Sequence, residues 1–151
     1  MKITHTSQNG IDLIKKFEGF RGNPYRDAVG IATIGYGATY YPNGNRVKLT
    51  DAPITEKYAT TLLEVMLRPY EKAVDSFTRD DINQNQFDAL VSFAYNLGVN
   101  ALRGSTLLKK VNKNPNDPTI RNEFKKWVNA GGRPLKGLIT RRNIEADLYF
   151  K

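Results

Sequence analysis

Residues 87–97 constrain the fold more than any other stretch of the chain. Phe87, Ala89, Leu90, Val91, Phe93, Ala94, Tyr95 and Leu97 leave almost no polar face between them. A helix that is apolar nearly all round has to be buried, so the rest of the chain must wrap it. Asn83 stands where such a helix needs an N-terminal cap, and Gly98 where it needs an end. The 151 residues suffice for one core of this kind, and a single domain over 1–151 is expected.

The other segments read as helix, short strands, then helices to the end. Ser7 or Asn9 can cap a helix carrying Ile11, Ile14 and Phe17 at helical spacing, stopped by Gly19 and by Gly22-Asn23-Pro24. From Tyr25 to Leu49 the runs become short, Gly-punctuated, aromatic and β-branched. Asn43-Gly44, flanked by Tyr40-Tyr41 and Arg46-Val47, predicts a two-residue hairpin. Thr55 starts a long helix whose stripe runs from Ala59 through Leu63 and Leu67 to Val74 and Phe77, with a kink or break at Pro69. Ser105 opens a short helix. Asp117-Pro118 starts another with Phe124, Trp127 and Val128, which Gly131-Gly132 ends, and a last helix carries Leu138, Ile139, Ile144, Leu148 and Phe150. The class is α+β: a small N-terminal β-hairpin lobe over about 20–52, beside a larger helical lobe over about 1–19 and 53–151. A junction between two lobes is a natural place for a cleft.

Composition removes several chemistries. There is no cysteine and one histidine, His5, so disulfides, thiol catalysis and a His-based zinc site are excluded. No apolar run approaches the ~18 residues of a membrane span, and the polar stretch Met1–Asn9 lacks the apolar core of a secretory signal. Charge is segregated: residues 1–100 hold 11 Lys/Arg and 11 Asp/Glu, whereas residues 101–151 hold 12 against 4. The whole +8 excess therefore lies in the last third. It suggests a polyanionic partner (nucleic acid, an anionic membrane or an anionic cell wall), with Lys109, Lys110, Lys113, Lys125 and Lys126 as exposed candidates. The plainer alternative is a solvated basic face.

What remains is carboxylate and hydroxyl chemistry. Glu18 continues the stripe of Ile11 and Ile14 into the last turn of its helix. A partly desolvated carboxyl at the negative end of a helix suits a proton donor; a frayed-end glutamate turned to solvent is the alternative. Asp27 reads as a turn or strand-cap aspartate, and Thr33 in Ile31-Ala32-Thr33-Ile34 is ordinary for a strand. Together they say more. Lys16-Phe17-Glu18-Gly19, Asp27 and Thr33-Ile34-Gly35-Tyr36-Gly37 stand in the order and spacing of the catalytic signature of phage-type lysozymes, the endolysins of glycoside hydrolase family 24, which this chain resembles. The resemblance continues through Gln86–Asn96, Ser105–Leu108, Trp127, Ala130-Gly131-Gly132 and Gly137–Arg142, and so covers nearly the whole chain in order.

The resemblance implies a two-lobed lysozyme fold with the active site in a cleft between the lobes. It assigns Glu18 as the acid that protonates the glycosidic oxygen between N-acetylmuramic acid and N-acetylglucosamine. Asp27 becomes the base that orients a water, and Thr33 helps to hold that water, giving inversion. Arg141 matches the arginine that pairs with the catalytic glutamate, with Arg142 competing for the role. Tyr95, Asn96, Thr106 and Trp127 match substrate-lining positions, although Tyr95 and Trp127 also read as core. Ala38 stands where many relatives carry histidine. The resemblance implies no metal and no cofactor, peptidoglycan as substrate, and residence in the host cytoplasm until release through a holin-type pore; a monomer is the default expectation. Two other classes compete: a non-catalytic wall- or polyanion-binding module on the same fold, and a helical nucleic-acid binder. The Glu18, Asp27 and Thr33 set argues against both.

Overall fold

The computed structural model describes residues 2–151; Met1, the first residue of the expected 1–151 domain, lies outside the described residues. The chain divides into two compact units, Asp12–Arg68 and the N-terminal residues through Ile11 together with Pro69–Lys151. Helices make up most of the structure, with two small antiparallel sheets, so the class is α+β.

In the unit Asp12–Arg68, helix α1 (Gln8–Glu18) enters and leads into the hairpin β1 (Arg21–Arg26) and β2 (Ala32–Gly35). Tyr25 pairs with Thr33 and Arg26 with Ala32, while the register shifts between Arg21 and Tyr25. Gly22-Asn23-Pro24, expected to stop the first helix, lies inside β1 at that irregularity. Pro24 has no N–H to give a ladder, and a register break is where a strand tolerates it. The chain then makes the bridges Ile34↔Ala38 and Tyr40↔Arg46. The hairpin expected at Asn43-Gly44 is present, but not as a two-residue turn. Gly44 donates to Tyr41 O (2.9 Å) and Tyr41 to Asn45 O (2.8 Å). Asn43 keeps a negative φ, whereas a two-residue type I′ turn needs both central residues positive. Pro42 presets the ordinary four-residue turn instead. Ile34, Tyr36 and Val47 are buried, as are Ala59, Leu62, Leu63, Met66 and Leu67 on the first part of α2 (Glu56–Phe77). Thr55 caps that helix, its Oγ1 accepting from the Tyr58 N–H (3.1 Å). The helix does not break at Pro69, and the division between the units falls there.

The other unit is built around α3 (Gln84–Leu97), buried from Gln86 to Ala94 as its all-round apolarity requires. Asn83 and Gln86 form a reciprocal capping box at its start. Around it lie α4 (Val99–Arg103), α5 (Thr106–Lys113), α6 (Ile120–Lys125), the two-residue strands β3 (Asn129–Ala130) and β4 (Arg133–Pro134), and α7 (Lys136–Tyr149). Helix α3 packs on α7, and α6 also packs on α7. The helix expected to run through Trp127 and Val128 stops at Lys125. Gly131 and Gly132, at φ +60° and +76°, turn the β3–β4 hairpin rather than end a helix. The start of α1 is fastened to α3 within this unit. Asp88, fully buried, accepts from the Ser7 N–H (3.0 Å) and Ser7 hydroxyl and from Gln84 Nε2 (2.7 Å). A methyl group at Gly10 would meet the Asp88 side chain at 2.8 Å, so only glycine allows this approach.

Candidate active site

The site is built on the turn between β1 and β2. The Asp27 N–H donates to Ile31 O and the Gly30 N–H to Asp27 O, each at 2.9 Å. Gly30 stands at φ +88°, while Ala28 and Val29 keep negative φ. This is a type I turn closed by a glycine bulge, which favours aspartate at its first position and demands glycine at its last. The Asp27 carboxylate reinforces it: Oδ1 accepts from the Val29 N–H (3.0 Å) and the Ile31 N–H (2.9 Å). Its other oxygen, Oδ2, has no hydrogen bond or ion pair among the described residues. The turn thus engages one oxygen of the carboxylate and leaves the other open to a bound molecule.

Register sets the neighbours. Tyr25 and Thr33 are cross-strand partners, and Asp27 lies two residues beyond Tyr25. Side chains alternate along a strand, so Tyr25, Asp27 and Thr33 share one face of the hairpin. Thr33 is only 2% exposed, and its hydroxyl donates to Ile31 O (2.8 Å). With its proton engaged, that oxygen can still accept a hydrogen bond. Glu18 is the last residue of α1 and half-buried. Gly19, at φ +72°, ends the helix there, its N–H bonding to Lys15 O (2.9 Å). Burial raises the Tyr25 hydroxyl above its ordinary value of 10.0; Arg21 opposes the shift, and the charges of Glu18 and Asp27 add to it. Tyr25 thus lies within the field of both carboxylates. The Arg21 guanidinium sits 4.1 Å from the centre of the Tyr25 ring. Neither residue stands out in the sequence as a site residue, although the two-residue spacing of Tyr25 from Asp27 in a strand is a usable signal.

The remaining expected residues lie in the helical unit, and most serve one buried network. Glu145 is fully buried between two arginines. Arg141 Nε donates to Glu145 Oε2 (3.3 Å), and Arg141 also reaches the Ser92 carbonyl (3.2 Å). Arg142, fully buried, donates to Glu145 Oε1, to Asn96 Oδ1 and to the Trp127 carbonyl (2.9 Å). Trp127 meets Phe93 edge-on at 5.5 Å, and Tyr95 meets Tyr70 at 5.1 Å. Thr106, the first residue of α5, is exposed. No three His, Cys, Asp or Glu side chains among the described residues cluster as a metal site. No helix among them is long and apolar enough to cross a membrane.

Residues 15–145 match the phage lysozyme family. The endolysin of Bacillus phage B103 is 43% identical over 95% of this chain, which spans 53% of that relative's length. The endolysin of Salmonella phage P22 is 39% identical, with 95% of this chain and 97% of the relative covered. Among solved structures, the endolysin from Escherichia coli O157:H7 phage FAHEc1 superposes with a TM-score of 0.88 at 34% identity, covering 100% of this chain and 97% of that one. The chain belongs to the phage lysozyme family, and with it to the hydrolases of the lysozyme class.

Proposed function

We propose that this chain hydrolyses the β-1,4 bond between N-acetylmuramic acid and N-acetylglucosamine in peptidoglycan, with Glu18 as general acid and Asp27 as the base that orients water with Thr33. The observation that carries this reading is the pair of acceptors on one hairpin face. Asp27 is clamped through Oδ1 with Oδ2 unpartnered among the described residues, and the Thr33 proton is engaged by Ile31 O. A water donating one hydrogen to each acceptor keeps a lone pair for the sugar carbon. The bond to the leaving oxygen then breaks as Glu18 gives that oxygen its proton, and the water's proton passes to Asp27. Attack by water on the face opposite the leaving group inverts the anomeric centre.

Arg141 pairing with Glu18, and Tyr95, Asn96, Thr106 and Trp127 as sugar contacts, belong to the proposal through the family resemblance. So does passage from the host cytoplasm to the wall through a holin-type pore, while electrostatic contact with an anionic wall or membrane surface rests on the basic excess of residues 101–151, and action as a monomer is the default. For Asn96, the bond from Arg142 fixes the amide oxygen and leaves its NH₂ to face a substrate. The test is mass spectrometry of digested peptidoglycan, with NMR of the first product. Reducing-end N-acetylmuramic acid, released as the α-anomer, is expected. Anhydro-muramic ends, a β-anomeric first product or freed peptide stems would each overturn the reading.

A further inference from the structure

The hairpin after β2 carries a recess that the chemistry above does not use. It has a volume of about 530 Å³ and is lined by Tyr41, Asn45, Arg46, Lys48 and Asp51. That volume lies within the roughly 300–1,000 Å³ of small-molecule sites. Its frame is held by backbone bonds: Val47 to Thr39 O (2.9 Å), the Tyr41–Asn45 closure, and Asp51 to Lys48 O (3.0 Å). Val47 is buried, so Arg46 and Lys48, on either side of it in extended chain, both turn outward.

Charge in the recess is unbalanced. The one carboxylate, Asp51, is occupied through Oδ2 by the Tyr41 hydroxyl (2.6 Å) and the Lys48 backbone N–H (2.9 Å). The Tyr41 bond, then the Lys48 N–H, hold that carboxyl below its ordinary range. Burial, then Asp51, push the Tyr41 hydroxyl up to about 12, so it remains a donor. Neither the Arg46 nor the Lys48 side chain has an ion pair or hydrogen bond to a described residue, and the Lys48 charge acts on Asp51 only as a smaller, through-space contribution to its lowering. A planar guanidinium fork and an ammonium stand beside an amide and an aromatic ring. That set matches a single carboxylate on an amide-bearing chain.

We propose that this recess binds the carboxylate of a peptide stem carried by the glycan strand. The inference rests on the muramidase reading, because on such a strand the charged groups belong to the stems and the sugars themselves are neutral. A net excess of one positive charge in the lining fits one carboxylate.

Two measurements test it. In the first, kcat/KM is compared on stem-bearing glycan strands, whose stem carboxyls are free, and on the same strands with those carboxyls amidated, since an amidase would leave a free lactyl carboxylate on each muramic acid. The ratio of the two values should fall about tenfold in the Arg46→Gln/Lys48→Gln double variant, through KM on the strands with free carboxyls. An unchanged ratio in a folded variant overturns the proposal. In the second, a free acidic stem tripeptide is titrated into the Glu18→Gln protein and followed by NMR. Amide shifts are expected between Tyr41 and Asp51, and absent when the peptide's carboxyl groups are amidated. No shift there, or equal shifts with the amidated peptide, overturns it. Binding requires no cleavage, so shifts in a protein whose parent releases no muropeptides would sink the muramidase reading and leave the subsite standing.

Discussion

At Asp27 the turn occupies one carboxylate oxygen, and the proposed chemistry needs only the other. An aspartate before Ala28-Val29-Gly30 reads as a turn residue, and the turn is there, with Oδ1 on two backbone N–H groups. Asp27→Asn keeps that acceptor and removes only the charge, so the turn should survive within roughly 1 kcal/mol while activity falls at least ~100-fold. Glu18→Gln should lose as much, because it removes the transferable proton and little else. Turbidity loss of purified peptidoglycan beside a thermal melt decides both, and near wild-type lysis by either folded variant ends its assignment. Thr33 gives a finer test. Serine retains the bond to Ile31 O and the accepting lone pairs; valine removes both at a buried position. Thr33→Ser should therefore keep at least several-fold more activity than Thr33→Val in the same assay. The expectation at Glu18, Asp27 and Thr33 came from the order and spacing they share with the phage-type lysozyme signature, each residue being ordinary by itself. Tyr25 was not legible, because its place depends on the register of a strand whose start, at Arg21, the Gly-Asn-Pro segment disguised.

Elements with one dominant local signal were readable in advance: the apolar run of α3, the Asn83 and Ser105 caps, and the Thr55 start of α2. Those missed depend on partners distant in sequence. The helix carrying Phe124 stops before Trp127, whose carbonyl is taken by Arg142 from α7, and the Gly-Gly pair turns a two-residue hairpin that no long apolar run announces. The buried Arg141–Glu145–Arg142 cluster holds α7 to α3 through Ser92 and Asn96. Replacing Glu145 with glutamine leaves two buried guanidiniums around a neutral amide. Urea unfolding should show a loss of roughly 3–5 kcal/mol, and a loss below about 1 kcal/mol would mean the arginines find other partners. On α6, Glu123 is buried with Lys110 (2.8 Å) and Lys126 (3.0 Å) on its carboxylate. The Lys110 bond, then Lys126, hold it below the ordinary 4.5, against an opposing effect of burial. A depressed folded value stabilises fully above the unfolded one and is lost as pH falls through the folded one. The gap in melting temperature between wild type and Glu123→Gln should thus be constant above about pH 5 and shrink toward pH 3. A gap that does not change over that range contradicts the assignment.

Across the whole molecule, the +8 charge of residues 101–151 is real in sequence but only partly available at the surface. Arg141 and Arg142 are buried on Glu145, Lys110 and Lys126 are committed to Glu123, and Arg121 pairs with Asp147 (2.6 Å). Reversing Lys110 or Lys126 would remove one partner of the buried Glu123 and set a second carboxylate beside it, so these two expected surface candidates measure folding rather than attraction. Lys109, Lys113, Lys125, Arg133 and Lys136 are exposed and form no ion pair among the described residues. All five lie outside the unit that carries Glu18, Asp27 and Thr33. Attraction to an anionic wall and cleavage of the bond should therefore separate. Changing the five to glutamate should slow attack on whole walls severalfold at low salt. The deficit should shrink as salt rises, since a Debye length of ~8 Å at 0.15 M screens exposed charges from one another. A short, uncharged chitooligosaccharide offers no net charge to attract, so initial rates on it should stay within about twofold of wild type. Equal losses on wall and short glycan in a folded variant would put these side chains in the active site, and no loss on either would leave them a solvated face.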